Sequence, residues 1–172
     1  MWRFGPVPIK NMPMKALILF SFLFLSLFSN GQAAKDKLPA FKMTLSDGGH
    51  FSSESLKKNT PVILIYFAPD CGHCQVLMKE FFKRVRDFDR TEVVMVSFKP
   101  LPEIAQFVKD YKIANYKNIF VGREEPVFFF RYFYDLVNTP FTALFDKKGK
   151  LIQSYKVETP LPELIAKLKK IK

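Results

Sequence analysis

Val62-Ile63-Leu64-Ile65-Tyr66-Phe67-Ala68-Pro69-Asp70-Cys71-Gly72-His73-Cys74 runs from an unbroken apolar hexapeptide into a polar turn that holds both cysteines of the chain. A continuous apolar run of this length is the pattern of a strand buried on both faces. Past the turn the period changes. Leu77, Met78, Phe81, Phe82, Val85 and Phe88 fall on one side of a helix, and Lys79, Glu80, Lys83, Arg84 and Asp87 on the other. Residues 93–98 (VVMVSF) repeat the buried-strand pattern. Strand, helix and strand in this order make a βαβ unit with a parallel pair.

The flanking sequence extends the unit. Residues 41–45 alternate like a short strand closed by Asp47-Gly48-Gly49, and residues 52–58 suggest a short helix. Pro102 opens a helix with Ile104, Phe107, Val108 and Tyr111 on one face. Residues 119–121 read as a short strand and residues 126–137 as a helix. Residues 141–145 and 151–155 flank Asp146-Lys147-Lys148-Gly149-Lys150, a hairpin signal. Leu161, Leu164, Ile165, Leu168 and Ile171 give the last helix its stripe. The expected fold is α/β, with a mixed central sheet flanked by helices on both faces.

At 172 residues, with 48% apolar and 25% charged residues, the chain has room for one domain with a real core. Two cysteines are too few for a disulfide scaffold or a Cys₄ metal site. No stretch reaches 18 uninterrupted apolar residues, which excludes a polytopic membrane protein. The formal charge of +11 comes from bases interleaved with acids. The densest cluster, Lys167, Lys169, Lys170 and Lys172, reads as a solvated helix face. No nucleic-acid motif is present, and no nucleic-acid partner is expected.

The N-terminus has the layout of an export signal. Arg3, Lys10 and Lys15 precede an apolar segment at 16–28, and Ser29, Asn30 and Gly31 supply small residues for a cut before Gln32. A helix of that length spans about 20 Å, short of the roughly 30 Å bilayer core. Residues 1–31 therefore read as a signal peptide and 32–172 as the exported domain, most naturally in a bacterial periplasm. No stable membrane span is expected after signal removal; an uncleaved N-terminal anchor is the alternative. The mature chain keeps a charge near +8, because Arg3, Lys10 and Lys15 leave without an acid.

The chemistry lies in Cys71-Gly72-His73-Cys74. A helix N-terminus offers free N–H groups and a partial positive charge, which favour a thiolate, the nucleophilic form. Two intervening residues let the sulfurs meet across one turn. Cys71 is then the exposed attacking thiol, and Cys74 the interior thiol that resolves a mixed disulfide. A protonated His73 favours the Cys71 thiolate, and a stabilised reduced form makes the pair a stronger oxidant. The Asp70 carboxylate works the other way. A purely structural disulfide closing so small a loop adds little stability. Zinc needs two more ligands, and only His50 and His73 exist, with His50 reading as a surface residue after its Gly-Gly turn. Covalent haem needs a histidine where Gln75 stands.

With these residues the chain resembles the thioredoxin superfamily from about residue 38 to its end. It is similar to exported thioredoxin-like proteins of the TlpA and ResA type, with an isomerase-like Cys-Gly-His-Cys motif. The segments carrying the resemblance are residues 65–74 and Asn138-Thr139-Pro140-Phe141-Thr142-Ala143-Leu144-Phe145-Asp146. The resemblance implies a thioredoxin-like fold and a cis-proline at Pro140 facing the cysteines, with Thr139 pairing to substrate through its backbone. Gly72, His73 and Asp70 become residues tuning the site. Three positions depart from the pattern. Asp70 replaces an aromatic residue, Ile65 replaces a buried acid, and Leu77 replaces the acid of the ResA type. Glu80 is one turn too far along to substitute, so the base for Cys74 is unidentified.

The expected function is an exported thiol–disulfide oxidoreductase that exchanges a Cys71–Cys74 disulfide with cysteine-containing exported proteins. A redox partner restores its active state, and the cysteine pair replaces any bound cofactor or metal. Oxidant, reductant and isomerase all remain open. One rival is a thiol peroxidase, although Cys71 lacks the Pro-x-x-x-Thr-x-x-Cys surroundings of peroxiredoxins. Another is a binding module whose cysteines only lock the fold.

Phe128-Phe129-Phe130-Arg131-Tyr132-Phe133-Tyr134 places six aromatics in seven positions. On a helix, Phe129, Phe130, Phe133 and Val137 face the core, and Arg131 and Asp135 form a polar edge. Phe128, Tyr132 or Tyr134 is left for an exposed patch near the substrate groove.

Overall fold

The apolar hexapeptide is the central strand of the sheet. All six of its residues are buried, and they pair in parallel with residues 92–97 and antiparallel with residues 141–145. The structure is a computed structural model and describes residues 35–171; the signal read at 1–31 lies outside them. In chain order the elements are β1 (Lys42–Leu45), β2 (His50–Ser52), β3 (Val62–Phe67), α1 (Gly72–Lys83), β4 (Glu92–Ser97), α2 (Leu101–Asp110), β5 (Ile119–Glu125), α3 (Phe129–Tyr134), β6 (Phe141–Phe145), β7 (Leu151–Lys156) and α4 (Leu161–Ile171). Among the described residues the strands form one mixed sheet ordered β2-β1-β5-β4-β3-β6-β7. No described helix is long and apolar enough to cross a membrane.

The two-residue period of β3 divides the core in two. Ile63, Ile65 and Phe67 pack with Leu77, Met78 and Phe81 of α1, with Ile104 and Phe107 of α2, and with the α4 stripe. Val62, Leu64 and Tyr66 pack on the other face with Phe130 and Tyr134 of α3 and with Phe41 and Phe51. Fully burying one such side chain is worth about 1.5–3 kcal/mol. The βαβ unit thus places the N-terminus of α1, and both cysteines, at the C-terminal edge of the central strands.

Five expectations need correction. β5 continues to Glu125 instead of stopping at 121, because Gly122 to Glu125 pair antiparallel with β1. The approach is close: a Cβ on Gly122 would lie 2.4 Å from the Thr44 carbonyl oxygen, so a side chain is excluded there. The helix expected over 126–137 shrinks to the six residues of α3. Phe128 (φ 69°) and Asp135 (φ 51°) are left-handed and bracket it. The Leu136 N–H reaches back to the Arg131 carbonyl, the 6→1 bond of a Schellman motif. That motif rotates the chain, so Leu136 takes the core position expected of Val137, which is 83% exposed. The helix expected at 52–58 reduces to a 3₁₀ turn at Ser53–Ser55.

The expected Arg131–Asp135 edge does not form. Asp135 pairs with Lys35, and the Arg131 guanidinium lies 5.1 Å from the ring centroid of Phe98 and 5.2 Å from that of Phe128.

Candidate functional site

Cys71 is the N-cap of α1, and its sulfur stands where a capping oxygen normally would. Sγ accepts the Cys74 N–H at 3.4 Å and donates to the Thr139 carbonyl oxygen at 3.4 Å. Both cysteines are free thiols; Cys71 is half-buried and Cys74 is buried. The preceding turn is held by Cys71 N–H to the Ala68 carbonyl, 3.1 Å, and by the Gln75 side-chain amide to the Pro69 carbonyl, 3.0 Å.

The two thiols differ electrostatically. Burial works to raise the Cys71 thiol. Hydrogen bonds from the Cys74 and Thr139 side chains, together with the N–H groups of Cys74 and His73, outweigh it and hold Cys71 below the ordinary value. Burial first, then the hydrogen bond and charge of Cys71, push Cys74 up to about 12. The thiolate is therefore favoured at Cys71, at the helix terminus, over Cys74, one turn inside.

The remaining residues singled out by sequence fall as follows. The Thr139–Pro140 peptide is cis, Pro140 is buried, and the Thr139 carbonyl faces Cys71. Pro140 in turn accepts the Val157 N–H at 2.8 Å. Gly72 is exposed, and a Cβ there would meet open space. His73 is exposed and lines a cleft with Val76, Leu77, Glu80, Val157 and Pro160. His50 is exposed at the start of β2. Ile65 and Leu77 are buried among apolar neighbours, and Glu80 is ion-paired with Lys83 at 2.6 Å. Among the described residues no group of three His, Cys, Asp or Glu side chains converges as a metal site would require.

Sequence reasoning missed two charged residues. Lys99, just past β4, forms an ion pair with Asp70. It sits at the C-terminal end of a parallel strand, the edge where α/β folds collect functional groups. Glu124 is buried in β5 and accepts the Tyr66 hydroxyl and the Phe128 and Phe130 N–H groups, each at 2.8 Å. Burial raises its carboxyl above the usual range, against those hydrogen bonds and the nearby Arg131. The acid of Gly122-Arg123-Glu124-Glu125 carries no strand signal, so only the fold reveals it as the anchor of α3.

Comparison with known proteins adds the lineage. The model of the AhpC/TSA family matches residues 34–169. No curated protein matches the chain. Similar solved structures include MTB dsbF in its mixed oxidized and reduced forms, with TM-score 0.63 and 19% identity over 81% of this chain and 98% of that one. A secreted Mycobacterium tuberculosis disulfide oxidoreductase homologous to E. coli DsbE gives TM-score 0.63 and 16% identity over 76% and 95%. The peroxidoxin BcpB from the same organism gives TM-score 0.66 and 15% identity over 80% and 96%. At these identities the likeness is one of fold, which is thioredoxin-like.

Proposed function

The chain belongs to the AhpC/TSA family, and from that premise we propose an exported thiol–disulfide oxidoreductase of the TlpA and ResA type, acting on cysteine-containing proteins of a bacterial periplasm. It is a thioredoxin-like redox protein, and the reading within that class rests on one observation. The Cys71 sulfur caps α1 and accepts the N–H of Cys74, the second cysteine, one turn inside. A secreted fold neighbour and the export-type N-terminus support the location.

The exchange needs no bound cofactor. The Cys71 thiolate attacks one sulfur of a substrate disulfide. That S–S bond breaks, and the departing substrate thiolate takes a proton from solvent. Cys74 then loses its proton and attacks the Cys71 sulfur, releasing the second substrate sulfur as a thiolate that is protonated in turn. The substrate gains two electrons and two protons, and the protein keeps a Cys71–Cys74 disulfide for a redox partner to reduce. Run backwards, the same steps oxidise a substrate dithiol. Thr139 presents its carbonyl beside the reacting sulfur, next to cis-Pro140, as a pairing site for substrate backbone.

A second reading, thiol peroxidase, draws support from the family and from the peroxidoxin likeness. One experiment separates the two. The protein should catalyse insulin reduction by dithiothreitol and leave hydroperoxide unconsumed. Hydroperoxide consumption without insulin reduction would replace the first reading with the second.

Position His73 tests the tuning. Its N–H, in the first turn of α1, is one of those favouring the Cys71 thiolate. His73→Pro removes that donor, so the reduced form loses stabilisation and the couple becomes more reducing. Each 1.4 kcal/mol lost lowers the potential by about 30 mV. Equilibration against glutathione measures it, and an unchanged or more oxidising value would count against the assignment.

A further inference from the structure

Lys99 reaches the motif from a different element. β3 and β4 end side by side, with Phe67 opposite Ser97, so the residues after each strand emerge together. The Lys99 ammonium pairs with the carboxylate of Asp70, the residue immediately before Cys71. Lys99 is anchored: its N–H donates to Ser97 Oγ at 3.2 Å, and its ammonium lies 5.9 Å from the Phe98 ring centroid. Its side chain is 24% exposed, against 61% for Asp70. The Lys99 hydrogen bond, followed by weaker contributions, holds the Asp70 carboxyl below its usual range, so the group is anionic wherever a thiol titrates. An anion one residue from a nucleophilic sulfur disfavours the thiolate unless a cation answers it.

We propose that Lys99 is a positioning residue for the Cys71 nucleophile: it holds the Asp70 carboxylate and answers its charge at the residue immediately before the attacking cysteine. The inference rests on the reading of Cys71 as the attacking thiol. The ionisable groups around the Asp70–Cys71 turn include Asp70 and His73 from its own segment, Lys79 of α1 and Asp110 of α2, which line the same cleft as Asp70, Lys99 from the loop after β4, and Glu103 of α2, which acts on Lys99. The facing segment, residues 138–140, contributes no ionisable side chain. Lys99 is the cation that forms an ion pair with Asp70, which stands where the thioredoxin-like pattern has an uncharged aromatic residue.

The test is alkylation of the reduced protein by iodoacetamide across a pH series, with each cysteine followed by mass spectrometry. Lys99→Met keeps the aliphatic stem and leaves Asp70 unanswered. The Cys71 midpoint should then rise by about half a unit, which slows labelling about threefold below the midpoint. Lys99→Arg should hold the wild-type midpoint, and Asp70→Asn combined with Lys99→Met should bring it back. A merely structural role would move melting without producing that rescue. An unmoved midpoint in Lys99→Met, or a double variant still shifted like the single one, would overturn the proposal. Cys74 labelled ahead of Cys71 in the wild type would overturn the underlying assignment of Cys71 instead.

Discussion

Replacing Cys74 by Ser should stop turnover of a protein disulfide and accumulate a covalent mixed disulfide between Cys71 and substrate, visible as a band that dithiothreitol dissolves. The expectation follows from the asymmetry of the pair. Cys71 is half-exposed at the tip of α1, with its thiolate favoured by N–H groups of the first turn. Cys74 is buried, with its thiol pushed up to about 12. In the proposed exchange its work is confined to the second step, where it attacks across one helical turn. Cys71→Ser should abolish both turnover and the mixed disulfide, because a hydroxyl is not an effective nucleophile toward a disulfide at neutral pH. If Cys71→Ser forms the mixed disulfide and Cys74→Ser does not, the two roles are reversed. The high position of Cys74 also sets a pH sense. Resolution depends on its deprotonation, so release of the second substrate thiol should speed up as pH rises.

The central βαβ unit was legible because burial on both faces of β3 and β4 leaves continuous apolar runs, and because α1 must hide one stripe. The cysteine geometry was legible for a related reason: a spacing of three positions at a helix start fixes which sulfur is outside. What the sequence does not announce is set by tertiary pairing. Glu124 is buried in β5 with no apolar signature, because its charge is answered by Tyr66, 58 residues away, and by N–H groups of the following turn. Lys99 reaches Asp70 across 29 residues, and only the parallel alignment of β3 and β4 brings them together. The aromatic run misled in a different way. Its composition reads as a long helix, but the left-handed residues Phe128 and Asp135 are not glycines, so no local residue announced the breaks.

The same run now separates into parts with opposite expectations. Tyr134 is buried against Phe130, Phe133 and Phe141, and its hydroxyl has no hydrogen-bond partner among the described residues. Tyr132 is 75% exposed on the other side of α3, seven residues before Thr139. Tyr134→Ala should cost about 3–5 kcal/mol, because it empties an aromatic site that its neighbours cannot fully refill. For a domain of this size that lowers the melting temperature by roughly 10 °C or more. Tyr134→Phe should be neutral or stabilising, since it keeps the ring and removes an unsatisfied buried hydroxyl. Tyr132→Ala should leave melting nearly unchanged. An exposed ring on α3 is instead available to an apolar segment of an unfolded substrate, where covering it is worth about 1.5–3 kcal/mol. Affinity for a protein substrate should then fall more than tenfold, at about 1.4 kcal/mol per decade, while reaction with a small disulfide is unchanged. Thermal melting with parallel assays on insulin and on a small aromatic disulfide reads all three variants. A Tyr132→Ala protein with normal melting and undiminished insulin turnover would remove α3 from substrate recognition, leaving the aromatic run to the core through Phe130 and Tyr134.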